Sequence, residues 1–283
     1  MTTTLTTTDH NRTIAGLTYL YPVLSRRAGG LSIGINFNPN HACNWRCIYC
    51  QVPDLQRGVA PEMDFTLLEQ ELRYFLNYVQ HGSFFADFQV EASQQVIKDI
   101  AISGNGEATS LKQFAKAVDL IGQIGTESGI LPNSKLVLIS NGSLVHQAEV
   151  QAGLKALAHW GGELWFKLDS ASFAGRKLIN NSHQTQAQLI KNLKLASQLC
   201  LTRLQTCVLH YQQAWNASET AAYIELLKQF KADNIAIASI MLYSIARQSF
   251  QAEAALLSKA SVDELNQLAA DLTALGYQVS VSP

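Results

Sequence analysis

The chain has 283 residues, 47% of them hydrophobic, which is enough apolar material for a folded core and excludes intrinsic disorder over most of its length. Lys+Arg 21 against Asp+Glu 22 leaves a formal charge of −1, so the global basic excess that favours nucleic-acid binding is missing. The longest nearly apolar run, Ile235 to Ala246, is closed off by Asp233 and Arg247 and is well short of the roughly 20 residues of a bilayer span.

In chain order, residues 1–12 are polar, with Thr at 2 to 4 and 6 to 8. They lack the basic start and apolar core of a secretory signal and are expected to form a frayed tail. No repeat, low-complexity tract or Pro/Gly linker divides the remainder, so 13–283 is expected to be a single domain. Strands are expected at Leu31 to Phe37, Val96 to Ser103, Lys135 to Ser140, Glu163 to Asp169, Arg203 to His210 and Ile235 to Ile240, where short apolar or β-branched runs occur. Between them, Phe65, Leu68, Leu72, Phe75, Leu76 and Val79 recur at helical spacing behind Asp64. A second helix is expected from Ser110, carrying Leu111, Phe114, Val118, Ile121 and Ile124. Others fit Val145 to Leu157, Gln186 to Leu199, Glu219 to Phe230, and Val262 to Leu275 behind the capping box of Ser261 and Glu264. Tyr277 to Val281 suits a short extra strand.

Strands spaced by helices imply parallel pairing with right-handed crossovers. Six β/α units are too few for a closed eight-fold barrel and fit an open partial barrel or a doubly wound sheet. In either, chemistry gathers at the carboxyl ends of the strands. The unusual polar clusters all fall there: the cysteines after the first strand, Gly104-Asn105-Gly106-Glu107 after the second, Asn141-Gly142 after the third, and Lys167 and Asp169 at the end of the fourth.

Five cysteines are too few for a disulfide scaffold at this length, which points to a reducing, cytoplasmic setting. Three lie within eight residues, Cys43-Asn44-Trp45-Arg46-Cys47-Ile48-Tyr49-Cys50, spaced C-x3-C-x2-C. Their neighbours do not read as core, so the thiols point to metal chemistry. Three thiolates can hold an iron–sulfur cube with one iron left open. Alternatively, His41 supplies a fourth ligand and the group is a non-catalytic zinc module.

This spacing, with an aromatic before the last cysteine, resembles the signature of the radical S-adenosylmethionine (radical SAM) superfamily. Ser103 to Thr109, Ser140-Asn141-Gly142 and Lys167-Leu168-Asp169 extend the likeness, which is greatest to the group of wyosine-tRNA synthetases and several activating enzymes. The resemblance implies a partial (β/α)6 barrel of parallel strands, and a [4Fe–4S] cluster on Cys43, Cys47 and Cys50 that binds S-adenosylmethionine at its open iron. It also implies reductive cleavage to a 5′-deoxyadenosyl radical that abstracts hydrogen from a substrate, and a one-electron donor such as flavodoxin or ferredoxin. Tyr49 is then expected beside the adenine, Gly104, Asn105, Gly106 and Glu107 around the methionine portion, and Ser140 and Asn141 near the methionyl or ribose portion. Lys167 and Asp169 would be the catalytic pair lining the site, Asp169 also touching the cofactor, with Ser170 within reach of the ribose.

Gln205, Cys207 and His210 are weaker candidates on the fifth strand, and Arg26, Arg27, Arg46 and Arg57 are expected to form an anion-attracting mouth. Cys200 and Cys207 cannot alone hold a second cube. Wyosine-tRNA synthetases carry extra ligands upstream, whereas no Cys precedes Cys43. With the balanced charge, this leaves tRNA modification as the alternative function.

Overall fold

The computed structural model describes residues 4–6, 12, 15–25, 29–212 and 214–282. Among them eight strands form one sheet in strict chain order: β1 (Leu20–Ser25), β2 (Gly30–Asn36), β3 (Ile97–Ser103), β4 (Lys135–Ser140), β5 (Glu163–Lys167), β6 (Leu201–Cys207), β7 (Ile240–Tyr243) and β8 (Val279–Ser282). β1 runs antiparallel to β2, and every later neighbour pairs in parallel. Helices α1 (Phe65–His81), α2 (Phe114–Glu127), α3 (Ala148–His159), α4 (Phe173–Asn180), α5 (Gln186–Leu199), α6 (Ala217–Ala232) and α7 (Val262–Ala274) fill the crossovers. The sheet curls into the partial barrel the sequence implies.

Strand alternation separates two environments. Leu31, Ile33 and Ile35 on β2, Ile100 and Ile102 on β3, Leu136 and Leu138 on β4, and Leu164 and Phe166 on β5 join the apolar core beneath the helices, with Leu68, Leu72 and Phe75 of α1 and Phe114, Val118 and Ile121 of α2. The intervening positions, among them Ser32, Gly34, Asp99, Ser103, Trp165 and Lys167, line a cavity inside the curl. The first set therefore faces outward to the helices, and the alternating set, which mixes small and polar residues with Ile139 and Trp165, faces inward around the cavity.

Several boundaries differ from expectation. β1 was not expected; Pro22 in it lacks an N–H, which is tolerated because β1 is an edge strand paired on one side only. The apolar run from Ile235 begins as a connection. Asn234 turns the chain with φ 53, Ile235 donates to the Phe230 carbonyl at 2.9 Å, and the strand starts only at Ile240. α2 starts at Phe114, four residues later than expected, because Glu107 caps a separate 3-10 turn over Ala108–Ser110 and Leu111 is extended. α4 was not expected at all.

Candidate functional site

After β2 the chain enters the cysteine loop, where Cys43, Cys47 and Cys50 line one cavity of about 320 Å³. Its lining runs from the cysteine loop at the carboxyl ends of the strands to Ser32 and Asp99 near their start. Two segments fix the loop. The end of α4 holds it from one side: Ile48 N–H donates to the Ile179 carbonyl at 2.8 Å, Arg46 N–H to that of Asn180 at 3.2 Å, and Asn181 Nδ2 to that of Arg46 at 3.0 Å. On the other side Ser249 Oγ donates to the Ile48 and Cys50 carbonyls, and Arg46 pairs with both oxygens of Glu253, at 2.8 and 2.5 Å.

Two N–H groups already point at sulfur: the Trp45 backbone at Cys43 Sγ, 3.4 Å, and Asn180 Nδ2 at Cys47 Sγ, 3.2 Å. Burial, assisted by Glu107, pushes the Cys43 thiol up to about 12. Burial also raises Cys47, against the opposing pull of Lys167. Thiols held neutral in this way become ligands when a cationic centre displaces their protons. No three His, Cys, Asp or Glu side chains among the described residues gather closely enough to hold a single metal ion. Sulfurs that face one cavity without converging on one point suit a multi-iron cluster, whose ligands stand further apart, better than tetrahedral zinc. His41 does not line the cavity, and its Nδ1 lies 2.9 Å from the Pro53 carbonyl oxygen. The zinc module on Cys43, Cys47, Cys50 and His41 is therefore not supported.

The wall facing the thiols comes from the ends of β3 and β4. Gly104 has φ 137, and a Cβ there would lie 2.4 Å from Asn36 Oδ1; one on Gly106 would lie 2.0 Å from the Ala42 carbonyl oxygen. Gly104 must be glycine for its positive φ and its approach to the end of β2, and Gly106 for the turn to approach the cysteine loop. Asn36 Oδ1 accepts from Asn38 N–H and Asn105 N–H. The buried Glu107 carboxylate accepts from Ser140 Oγ at 2.6 Å, Asn141 N–H at 2.7 Å and Thr109 Oγ1 at 2.6 Å. Asn141 in turn donates to Asn44 Oδ1 at 2.8 Å, reaching the cysteine loop.

Deeper in the barrel, Tyr49 donates to Asp169 Oδ2 at 2.5 Å. The same oxygen accepts from Asn180 Nδ2 at 2.7 Å, while Oδ1 accepts from Cys207 N–H at 3.0 Å. Lys167 Nζ is 3.9 Å from Asp169, 3.0 Å from the Tyr243 hydroxyl and 5.0 Å from the Tyr49 ring centre. Burial alone would lower Lys167, but Asp169 and Tyr243 hold it above the usual lysine value and so keep it an ammonium. Burial next to Asp169 keeps Tyr49 a neutral phenol.

No family profile matches the chain. Over 135 residues it is 28% identical to a UPF0026 protein of Helicobacter pylori, a match covering 47% of this chain and 38% of that protein. Over 133 residues it is 27% identical to a protein named GTPase Obg of Brachyspira hyodysenteriae, covering 47% of the chain and 17% of its relative. The chain thus spans well under half the length of these curated relatives. Among solved structures, a radical SAM methyltransferase from Sphaerobacter thermophilus superposes with TM-score 0.60 at 14% identity, covering 96% of this chain and 71% of that one. TYW1 with a lysine-pyruvate adduct bound gives 0.57 at 16%, covering 87% and 74%. The protein anSMEcpe with bound AdoMet gives 0.52 at 13%, covering 88% and 63%. The fold is that of the radical SAM enzymes.

Within this radical SAM fold, Cys43, Cys47, Cys50, Tyr49, Gly104, Gly106, Glu107, Asn141 and Lys167 line one cavity. Asn105, Ser140 and Asp169 lie just behind that surface, and each is hydrogen-bonded to a residue that lines it. Ser170 is directed elsewhere, because its hydroxyl donates to Glu219 on α6 at 2.6 Å. His210 also faces away and pairs with Glu264 at 3.0 Å. Cys207 lines the cavity and Gln205 is buried beside it. Of the expected basic mouth, Arg46 and Arg57 are engaged in fixing the loop, Arg57 Nη2 donating to the Asn181 carbonyl at 2.8 Å. Arg26 and Arg27 fall outside the described residues. Arg12, Trp165, Tyr243 and Asn180 were missed. Arg12, Trp165 and Tyr243 line the cavity and Asn180 touches Cys47. In the sequence, Trp165 shares strand parity with Lys167, so inward alternation could have found it, whereas Tyr243 falls beyond the expected strand Ile235 to Ile240 and is placed by its register opposite Cys207.

Proposed function

We propose that this chain is a radical SAM enzyme that holds a [4Fe–4S] cluster on Cys43, Cys47 and Cys50. The observation that carries this reading is the shared cavity. The three thiols share it with the glycine turn of Gly104 and Gly106 and with Glu107 and Asn141, at the carboxyl ends of the strands of a partial barrel. When bound, the cluster supplies the electron that cleaves S-adenosylmethionine to methionine and a 5′-deoxyadenosyl radical able to abstract hydrogen.

The chain's own residues orient and exclude. Gly104 and Gly106 give the methionine portion room at the backbone, Asn141 presents its amide at the rim, and Tyr49 offers a ring face for adenine. Glu107, satisfied by Ser140 and Asn141, stiffens this wall. Lys167 is an ammonium inside the barrel, where it would contact an acceptor or anionic group on the substrate, and Asp169 holds Lys167 and Tyr49 in place. A one-electron donor such as flavodoxin or ferredoxin would reduce the site.

Anaerobic reconstitution with iron and sulfide should give a brown protein with about four irons per chain that converts S-adenosylmethionine to 5′-deoxyadenosine. Cys47→Ala should lose both properties, and cleavage retained in that variant would refute the assignment. Modification of tRNA is the second reading, favoured by the likeness to TYW1. It requires RNA binding that weakens steeply as salt rises.

A further inference from the structure

Among the described residues two hydrogen-bond donors reach the loop sulfurs, and they differ in kind. Trp45 uses its backbone N–H, which almost any residue at that position would supply. Asn180 uses a side-chain amide, so its contact depends on residue identity. Asn180 is the last residue of α4 and is 1% exposed. Its Nδ2 donates to Cys47 Sγ at 3.2 Å and to Asp169 Oδ2 at 2.7 Å. Rotating the amide would turn Oδ1 onto a carboxylate oxygen and a sulfur, so the two acceptors fix its orientation. Oδ1 itself is buried without a partner, which is unfavourable and is offset by the two contacts that its N–H groups make.

We propose that Asn180 is a positioning residue for Cys47 and that its N–H···S contact raises the reduction potential of the cluster. The inference rests on the cluster reading above. Reduction adds a negative charge shared over the sulfurs, and a fixed N–H dipole aimed at one of them stabilises the reduced form more than the oxidised one. The amide also joins Cys47 to Asp169, Tyr49 and Lys167, so the group that meets the cluster is tied to the residues deeper in the barrel.

The test is an EPR-monitored redox titration of the reconstituted protein without S-adenosylmethionine, comparing wild type with Asn180→Leu and Asn180→Ala. Both variants leave Asp169 Oδ2 its bond from Tyr49. Both should hold about four irons and become harder to reduce, by on the order of tenfold in the one-electron equilibrium, or ~59 mV. Tyr49→Phe is the control. It removes the other donor to the same carboxylate oxygen without touching sulfur and should leave the potential near that of wild type. If loaded variants keep the wild-type potential, or if Tyr49→Phe shifts it equally, the role of Asn180 is overturned. Failure of both variants to load iron while retaining their fold by circular dichroism would also overturn it, making Asn180 a requirement for assembly. Wild type without four irons would instead defeat the cluster reading.

Discussion

Tyr49, one residue before the last loop thiol, donates its phenolic hydrogen to Asp169 Oδ2 at 2.5 Å, locking the cysteine loop to the end of β5. Asp169 also accepts from Asn180 and Cys207 and is the nearby counter-charge of Lys167. Three donors and an ammonium therefore converge on one carboxylate whose side chain is fully buried. Asp169→Asn turns one acceptor oxygen into a donor, which must then face a donor, and strips Lys167 of its partner. Breaking a buried pair from one side costs about 3 kcal/mol, tempered here because Lys167 keeps 17% exposure and the Tyr243 contact. Urea denaturation should find Asp169→Asn less stable by about 2–3 kcal/mol. A loss below ~0.5 kcal/mol, the scale of an ordinary surface substitution, would show that Asp169 is not the hub described.

The glycine turn makes a second, steric prediction. A Cβ on Gly106 meets the Ala42 carbonyl oxygen at 2.0 Å and Asn38 Cγ at 2.7 Å. The first is backbone adjoining Cys43, so relief must displace the ligand loop. Gly106→Ala should cost about 1–3 kcal/mol, as overpacking does, and lower the iron content after reconstitution. Gly161, with φ 69 and nothing within 4 Å of a Cβ, is the matched control. Gly161→Ala carries conformational strain alone and should load iron as wild type does. Equal iron content in the two variants would remove the close approach from the account of the site.

Legibility followed the range of the interactions. α1 and α7 were readable because their caps are local: Asp64 accepts from Leu67 N–H, and the capping box at Ser261 closes over three residues; α5 has a like box at Thr185 that the sequence reading did not use. The rim position of Cys43, Gly106 and Asn141 was readable because strand-to-helix order places loops at one end. α4 was not, since it spans Phe173–Asn180 with Gly175 inside and rests on tertiary contacts. Its signals were slight: Ser172 capping Gly175 N–H, and Asn181 with φ 49 closing the helix. Missing α4 meant missing Asn180, whose contact with Cys47 crosses 133 positions of sequence. Ser170 looked like a site residue because it follows Asp169, but the carboxylate that claims it, Glu219, lies 49 positions away.

The metal-free Cys43 thiol should show its surroundings chemically. Cys43 is pushed up to about 12, chiefly by burial, so below that pH it is protonated, and its thiolate population rises about tenfold per pH unit across the accessible range. An ordinary cysteine, near 8.5, levels off above about pH 9. Iodoacetamide labelling of the apo protein, followed by mass spectrometry, should therefore find Cys43 alkylated far more slowly than a free thiol at pH 8, with its rate still climbing at pH 10. A plateau near pH 9 would contradict the burial. Iron loading should release protons for the same reason.

Lys167 and Asp169 look like one ion pair, but the cavity separates them: Lys167 lines it and Asp169 does not. Lys167→Met keeps an unbranched stem between the Tyr49 and Tyr243 rings, and the Asp169 carboxylate retains its bonds from Tyr49, Asn180 and Cys207. This variant should be less destabilised than Asp169→Asn, load iron normally and still cleave S-adenosylmethionine in the absence of substrate. The deficit should appear on the ligand side. Once a substrate is found, its turnover should fall by at least ~10²-fold, about 2.7 kcal/mol of transition-state binding and the scale of losing one charged contact to a buried group. Meanwhile 5′-deoxyadenosine would still accumulate uncoupled from product. If cleavage falls in step with turnover, Lys167 serves the cofactor rather than the substrate, and the barrel interior below Tyr49 is not where the substrate's polar group sits.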